Sequence, residues 1–179
     1  MIPSAVRAGA DPATSAADRP RHDAARTVAD VVEAWSLVYE IYRRADLIEA
    51  NPARLHFVGA AIAHESVVAV SRVDRRVETT LSAYHDGPEG LPLDRVHGAS
   101  LDRLRREGRS LIEVGLFAHR GGSPGRAMAA VCHLMRMACG FGVHTGATDA
   151  LVGVHPRHAG STSGCSGSVG SAACGRTPW

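Results

Sequence analysis

The chain has 179 residues, of which 45% are hydrophobic and 21% charged, as is ordinary for one soluble globular domain. The net charge of +2 at pH 7 is small and the arginines are scattered, which argues against nucleic acid as a partner. No apolar run approaches the roughly 20 residues that cross a bilayer, and the N-terminus has no hydrophobic signal segment. We therefore expect a cytoplasmic protein with no membrane span.

The cysteine and histidine patterns give little support for a metal site or a disulfide framework. The four cysteines form no C-x-x-C pair, and Cys132 and Cys139 lie seven residues apart on a predicted helix, where burial as small hydrophobic residues is expected. His155 and His158 are spaced by three without a cysteine or carboxylate cluster nearby. We expect no metal site.

The first predicted element is an amphipathic helix after a polar leader. Residues 1–26 are poor in large apolar side chains, which predicts a flexible segment. The helix is predicted to begin after Thr27, with Asp30 completing a capping box, and to end before Asn51-Pro52. Six apolar positions at helical spacing predict one face packed in the core: Val28, Val31, Trp35, Val38, Tyr39 and Tyr42.

Extended segments and a short helix are predicted next. Residues 55–63 and 66–73 are apolar runs, the second rich in valine, and residues 77–84 alternate as in a half-buried strand. Arg75-Arg76 is predicted to form the turn between the last two segments. A short helix then ends at Gly108, a residue type that commonly follows a helix C-terminus.

The central segment has the pattern of a strand, a glycine loop and a helix. Residues 110–118 are an apolar run that carries one acid, Glu113, and a glycine-rich loop follows. Ser123-Pro124 is typical of an N-cap and first helical position, and Gly140 and Gly142 are predicted to end the helix. The predicted buried stripe of this helix consists of Met128, Val131, Met135 and Cys139.

This central pattern indicates a site for an anionic ligand beside a general base. A tight glycine loop before a helix presents unpaired backbone N–H groups, which suit a phosphate or pyrophosphate. A carboxylate within an apolar strand, here Glu113, is a candidate general base, although an acid paired with a nearby arginine is an equally acceptable interpretation. We expect Glu113 to lie on the same face as the loop, with a groove joining them.

With a final strand over residues 150–154, the order of elements predicts a mixed α/β domain whose central sheet is flanked by helices. Four short motifs then occur in the order found in long-chain N-acyl amino acid synthases: Val38-Tyr-Glu-Ile-Tyr42, Gly90-Leu-Pro-Leu-Asp94, Ile112-Glu-Val114 and His155-Pro-Arg-His158. Over residues 30–160 the chain resembles this family. The family is similar to acyl-homoserine lactone synthases and has the Gcn5-related N-acyltransferase fold.

The resemblance implies transfer of a fatty acyl group from an acyl carrier protein or coenzyme A thioester to the amine of an amino acid. The thioester, carried on phosphopantetheine or coenzyme A, would be a co-substrate rather than a permanently bound cofactor. The strand glutamate of these enzymes corresponds to Glu113. Seven residues correspond to the region that binds the pantetheine and phosphate: Phe117, Ala118, Arg120, Gly121, Gly122, Gly125 and Arg126.

The chain departs from the family pattern at two places in this segment. A serine and an arginine usually follow the glutamate and its hydrophobic neighbour, whereas this chain has Gly115 and Leu116. Ser123 stands where the first glycine of the R-x-x-G-x-G/A pattern of acetyl-CoA enzymes would fall. The second departure argues against an alternative that we keep open, a small-molecule N-acetyltransferase using acetyl-CoA.

The C-terminal segment departs further. The acyltransferase-like domain is expected over residues 27–159, and residues 160–179 collapse in composition to small and polar residues without periodicity. The family fold would place a helix and a strand there, so we hypothesise that a frameshift or truncation replaced them. The alternatives are a natural disordered tail, and a non-catalytic remnant of the fold that only binds an acyl carrier.

Overall fold

Five strands form one mixed sheet between helices in the computed structural model, which describes residues 19–63 and 65–153. The elements in chain order are β1 (Arg21–Ala24), α1 (Val28–Arg44), β2 (Ser66–Val73), β3 (Arg76–His85), α2 (Asp94–Arg106), β4 (Leu111–His119), α3 (Pro124–Thr145) and β5 (Asp149–Val152). The strands lie side by side in chain order. Neighbouring strands are antiparallel except β4 and β5, which are parallel and connected through α3. The predicted fold class is confirmed.

Two apolar layers hold the sheet between its helices. On one face, α1 and α2 cover a layer that includes Trp35, Leu101 and Leu116. On the other face, α3 covers a layer that includes Ile112 and Leu134. Because successive side chains of a strand point to opposite faces, β4 contributes to both layers.

The start of α1 is as the sequence predicts. The Thr27 side chain accepts a hydrogen bond from the Asp30 backbone N–H, and the Asp30 carboxylate accepts one from the Thr27 N–H. The helix ends at Arg44 rather than at Asn51-Pro52, because residues 45–50 continue as turn and irregular backbone. Val28, predicted to be buried, is 81% exposed because it lies in the first turn, beyond the edge of the core.

The predicted flexible leader is corrected at its end. Residues 21–24 form β1, which pairs antiparallel with β2 so that Arg21 lies opposite Arg72 and Ala24 opposite Ala69. The backbone of Ala25 extends this pairing by donating to the Val68 carbonyl at 2.7 Å. The sequence did not predict this strand, because an edge strand is held largely by main-chain hydrogen bonds and does not need a run of apolar side chains. Residues 1–18 lie outside the described part of the chain.

The β2–β3 hairpin is confirmed, with two corrections around it. Its turn lies at Asp74 and Arg75, one residue before the predicted Arg75-Arg76, and both residues have positive φ, as a tight hairpin turn requires. Residues 55–63 do not form a strand but a loop ending in a 3-10 helix, Gly59–Ile62. Residues 77–84 are buried on both faces rather than one, since β3 lies in the middle of the sheet between α1 and α3.

Helix α3 is longer and rotated relative to the prediction. It continues through Gly140 and Gly142 and ends at Gly146, which has a left-handed φ of 77°. The buried residues are Ala130, Leu134, Ala138 and Gly142, and both Cys132 and Cys139 are exposed. Gly142 allows close packing, because a Cβ there would lie 2.7 Å from Cδ1 of Ile112. Three of the four residues that face the sheet are therefore small, while the larger Met128 is 60% exposed.

Candidate active site

Glu113 is a buried acid in the middle of the sheet. It lies in β4, is 6% exposed, and is opposite Tyr84 of β3 and Leu151 of β5 in the strand register. Its side chain shares a face with Leu111 of the layer covered by α1 and α2, because alternate residues of a strand lie on one face. The sequence-predicted base is thus placed inside the domain rather than at a strand edge.

Glu113 has a backbone donor rather than a cationic partner. Its Oε2 accepts a hydrogen bond from the Leu93 N–H at 2.9 Å. Within residues 19–63 and 65–153, no arginine or histidine forms an ion pair with it. The alternative of an acid neutralised by a nearby arginine therefore does not describe Glu113 in this part of the chain.

The environment of Glu113 raises the pKa of its carboxyl group to near 7. Burial raises the pKa of Glu113 from 4.5 to about 7, the Leu93 N–H opposes that rise, and the charge of Asp94 adds to it. The pKa of the Tyr84 hydroxyl is raised by burial and then by the Glu113 charge. A carboxyl group with a pKa near 7 can accept and release a proton at cellular pH.

Gly115 lies directly against the two titratable groups. A Cβ at this position would lie 3.3 Å from the Tyr84 hydroxyl oxygen and 3.9 Å from Oε1 of Glu113. The missing side chain therefore lets the phenol pack closely on β4, and we call this position, bordered by a carboxylate oxygen and a phenol, the notch. The departure from the family pattern at Gly115 thus lies directly against the candidate base.

A β-bulge follows the notch in β4. Leu116 has a φ of 49°, and the pairing with β3 shifts register between Thr80 and Ser82. After the bulge, Ala118 is buried, whereas Phe117 is 43% exposed. Among the described residues, which end at 153, the pairing with β5 covers β4 up to Val114, although β4 runs on to His119. Within that part of the chain, residues 115–119 have no β5 partner on this edge.

The glycine loop lies at the other end of β4. Gly121 and Gly122 have φ of 119° and 122°, conformations that residues with a side chain rarely adopt. Ser123 is the N-cap of α3 but forms no side-chain cap, and Pro124 follows as the sequence predicts. Gly125 lies in the first turn of the helix. The helix therefore begins with backbone N–H groups that its N-cap side chain leaves unsatisfied.

A groove of about 300 Å³ lies beside this loop, and its lining includes Gly122, Ser123, Arg126 and Thr79. His119 also lines it, with Nδ1 2.9 Å from the Thr79 hydroxyl. The groove is on the α3 side of the sheet and does not include Glu113. This groove therefore does not join the glycine loop to Glu113, contrary to the expectation. The bulge and the alternation of strand residues place the loop groove and the Glu113 side chain on different faces of the sheet. The loop and Glu113 are connected only through β4.

Arg120 and Arg126 differ in their surroundings. The Arg120 Nη1 donates to Oε2 of Glu40 at 2.6 Å and its Nε to the Val77 carbonyl, so this side chain ties β4 to α1 and β3. Arg126 is exposed and lines the groove. Of the two arginines predicted to bind phosphate, Arg126 is at the groove and Arg120 is committed to Glu40.

Sequence reasoning missed the residues that hold Glu113. In Gly90-Leu-Pro-Leu-Asp94, the Asp94 carboxylate accepts from the Leu91 N–H at 2.7 Å and the Asp94 N–H donates to the Leu91 carbonyl. Arg105 of α2 then binds Asp94. The signal was present, because Gly-x-Pro-x-Asp is typical of a turn closed by an acid, but nothing in it indicated contact with Glu113.

Three remaining sequence predictions concern a metal site, a membrane span and the histidine pair near the C-terminus. Within the described residues, no group of three or more histidine, cysteine or acidic side chains is arranged to hold a metal ion. In the same part of the chain, no helix has the length and apolarity needed to span a membrane. His155 and His158 lie outside the described residues.

Comparison with known proteins identifies the fold. The structure of FeeM, an N-acyl amino acid synthase from uncultured soil microbes, matches with a TM-score of 0.69 and 22% identity, covering 81% of this chain and 76% of that chain. A Trypanosoma brucei acetyltransferase matches with a TM-score of 0.56 and 10% identity over 90% and 100% of the two chains. A predicted acetyltransferase with acetyl-CoA from Clostridium acetobutylicum matches with a TM-score of 0.51 and 10% identity over 88% and 96%. The fold is that of the Gcn5-related N-acyltransferases.

Among curated proteins, none matches the sequence significantly. The family described as N-acyl amino acid synthase FeeM matches residues 33–162, which include β2 to β5 and the whole candidate site. The match ends close to the change of composition at residue 160. Because it spans more than half of the sequence, the chain belongs to the N-acyl amino acid synthase FeeM family.

Proposed function

We propose that this protein is an N-acyltransferase that moves a fatty acyl group from a thioester to the amine of an amino acid, with Glu113 as the general base. Membership of the N-acyl amino acid synthase FeeM family supports acyl transfer in general. The observation that carries the proposal for this chain is the buried Glu113, which has no described ion-pair partner and whose pKa is raised to about 7.

The reaction needs a neutral amine, since an ammonium has no lone pair. In the proposed step the amine nitrogen attacks the thioester carbonyl carbon and gives up a proton to Glu113, directly or through one water. The new C–N bond forms as the C–S bond breaks, and the leaving thiolate takes up a proton. No covalent acyl-enzyme is required, so no cysteine or serine nucleophile is invoked.

The carbonyl oxygen gains negative charge in this step and needs a hydrogen-bond donor. The edge of β4 after Val114 supplies candidates, because no residue in the described part of the chain pairs with it on the β5 side while the strand continues. Preorganised backbone N–H groups commonly contribute the largest part of such stabilisation. We assign the thioester to this edge, beside the notch at Gly115.

The far end of the donor would lie at the glycine loop, reached along the edge of β4 and not through the groove on the α3 face, which does not include Glu113. Glu113 and His119 are six residues apart in one strand, so about 20 Å separates the acid from the start of the loop. A thioester attached to phosphate through an extended pantetheine arm suits a site with its two ends so separated. Gly121, Gly122, Gly125 and Arg126 would contact the phosphate, and Phe117 and Ala118 the arm. Arg120 would support the loop through Glu40.

We propose acyl carrier protein as the donor's carrier, with coenzyme A as the second possibility. The family resemblance supports the carrier protein, and the loop lacks the glycine spacing of acetyl-CoA enzymes at Ser123. The experiment compares long-chain acyl carrier protein, long-chain acyl-CoA and acetyl-CoA as donors to a mixture of amino acids, with N-acyl products detected by mass spectrometry. Turnover with acetyl-CoA alone would favour the small-molecule N-acetyltransferase.

The role of Glu113 is tested in the same assay. Glu113→Gln should lower kcat/KM by about 100- to 10,000-fold, the usual contribution of a general base. Glu107→Gln is the matched control, since Glu107 is exposed beyond the end of α2, and it should leave turnover unchanged. Full turnover by Glu113→Gln would refute the base. Failure to bind any acyl thioester, with non-cooperative unfolding, would indicate a non-catalytic remnant.

A further inference from the structure

An arginine that binds three aspartates lies behind the candidate base. Arg105 of α2 donates through Nε and Nη2 to the Asp86 carboxylate at 2.6 and 2.9 Å. It donates through Nη1 and Nη2 to the Asp94 carboxylate at 2.8 and 2.7 Å. A third acid, Asp102, accepts from Nη1 at 3.0 Å. The two fork-like pairs fix the guanidinium in one orientation, which joins the end of β3 to the turn before α2.

Asp94 links the fixed Arg105 guanidinium to the turn before α2. Its Oδ2 accepts from the Leu91 N–H as well as from Arg105, so both carboxylate oxygens are used. Gly90 has a φ of 70°, and a Cβ there would lie 2.7 Å from Oδ2 of Asp94. The turn is therefore closed tightly around the Asp94 carboxylate, and Leu93 has little freedom to move away from the sheet.

Leu93 is the point of contact with the base. Its N–H donates to Oε2 of Glu113, which is the hydrogen bond to a described residue that favours the ionised carboxylate. The negative charge of Asp94 acts against ionisation of Glu113. The other neighbouring groups are uncharged: Tyr84 of β3, Tyr42 of α1, which interacts with Tyr84, and Leu151 of β5. The position of one backbone N–H thus opposes the effect of burial.

We infer that Asp94 and Arg105 are positioning residues that hold the Leu93 N–H on Glu113 and thereby set the pH range in which Glu113 can accept a proton. This inference rests on the proposed function for its catalytic meaning, but the link between the aspartate–arginine pair and the Glu113 carboxyl is a property of the fold. Neither residue touches the reacting atoms. Their effect passes through the turn.

The sign of one pKa change separates positioning from simple charge removal. In Asp94→Asn, loss of the negative charge alone would lower the pKa of Glu113, because that charge now raises it. If the turn loosens and the Leu93 N–H withdraws, the pKa should instead rise, by about one pH unit for a hydrogen bond to a charged group. If Asp94 contributed only to stability, Asp94→Asn would show only the lowering of the Glu113 pKa that follows from removing the charge.

The experiment is a carbon-13 NMR titration of glutamate carboxyl groups in the full chain, with the Glu113 signal assigned by its absence in Glu113→Gln. We expect Asp94→Asn and Arg105→Lys to raise the pKa of Glu113, since lysine keeps the charge but cannot form the fork. Asp102→Asn is the control: Asp102 contacts Arg105, but its side chain is 57% exposed, and its one hydrogen bond among the described side-chain pairs is to Arg105 and not to the turn. It should leave the titration unchanged.

The outcomes are distinct. A lowered or unchanged pKa in folded Asp94→Asn overturns the inference, as does an equal rise in Asp102→Asn. If Arg105→Lys fails to fold, the isosteric Asp94→Asn decides alone. A rise in pKa in a protein that transfers no acyl group would uphold the positioning and refute the proposed function. Where turnover is measurable, the acidic limb of the kcat/KM profile should move to higher pH with the titration.

Discussion

The two ends of β4 differ in what holds them in place. Around Glu113, contacts arrive from β3, β5 and the turn before α2, and the side chain is 6% exposed. At the glycine loop, apart from the adjoining residues of the chain, no atom of a described residue lies within 4 Å of where a Cβ of Gly121 or Gly122 would be. The acid is preorganised by distant parts of the chain, whereas the loop depends on its own backbone. Chemistry that requires a set pKa suits the first end, and binding of a long donor suits the second.

The largest expected effect concerns Glu113, at the enclosed end of β4. The raised pKa of Glu113 means that this carboxyl group binds a proton more tightly in the folded protein than in the unfolded chain. The stability of the protein therefore falls as pH rises from 4.5 to about 7. Glu113→Gln removes this penalty and should raise the free energy of unfolding at pH 8 by on the order of 3 kcal/mol relative to its effect at pH 4.

Urea unfolding of both proteins at the two pH values measures that difference. Glu107→Gln provides the control, since Glu107 lies at the exposed end of α2 and should follow the wild-type protein at both pH values. An equal effect of Glu113→Gln at pH 4 and pH 8 would contradict the raised pKa.

The glycine loop, at the other end of β4, is tested by substitutions that its backbone conformation disfavours. Gly121→Ala and Gly122→Ala place a side chain at φ near 120°, which should cost about 1–3 kcal/mol or distort the loop. We expect the KM for the acyl donor to rise while kcat changes little, because the acid is about 20 Å away along the strand.

Gly108→Ala is the matched control for the loop. Gly108 also has a positive φ, 76°, but it follows α2 and is not among the residues assigned to the donor. This variant should carry a similar backbone strain and leave the donor KM close to that of the wild-type protein. Equal rises in KM in Gly121→Ala and Gly108→Ala would show that backbone strain in general, and not the loop conformation, weakens donor binding.

A smaller effect is expected in the notch. Gly115→Ala brings a Cβ to 3.3 Å from the Tyr84 hydroxyl, which should cost about 1 kcal/mol through crowding. Tyr84→Phe removes that hydroxyl, so the double variant should recover part of the loss. A double-mutant cycle by urea unfolding measures this coupling, and additive effects would mean that the two residues do not compete for the space.

The smallest effect concerns Arg120. Its pair with Glu40, whose side chain is 43% exposed, should contribute only about 0.5 kcal/mol to stability. Glu40→Gln releases the guanidinium without changing the sequence of the loop. If Arg120 only supports the loop through Glu40, the donor KM should rise slightly and by similar amounts in Glu40→Gln and Arg120→Gln. A lower KM in Glu40→Gln would show that Arg120, once released, binds the phosphate.

The features that local sequence determines were predicted from it. The capping box at Thr27 and Asp30, the valine-rich strand β2 and the strand–glycine–helix pattern around Glu113 each depend on residues close together in the chain. Backbone dihedral preferences and hydrophobic periodicity act over that range, so the sequence carries them directly. The order of the strands and the acid within β4 follow from these signals.

What the tertiary structure decided depends on distant contacts. Edge strand β1 exists because β2 offers its backbone, and α3 continues past Gly140 because small residues pack closely on Ile112. The turn at Leu93 meets Glu113 across 20 positions of the chain, a contact that no local pattern encodes. The pKa of an acid reflects everything that surrounds it, so the sequence could nominate Glu113, but only packing could decide its chemistry.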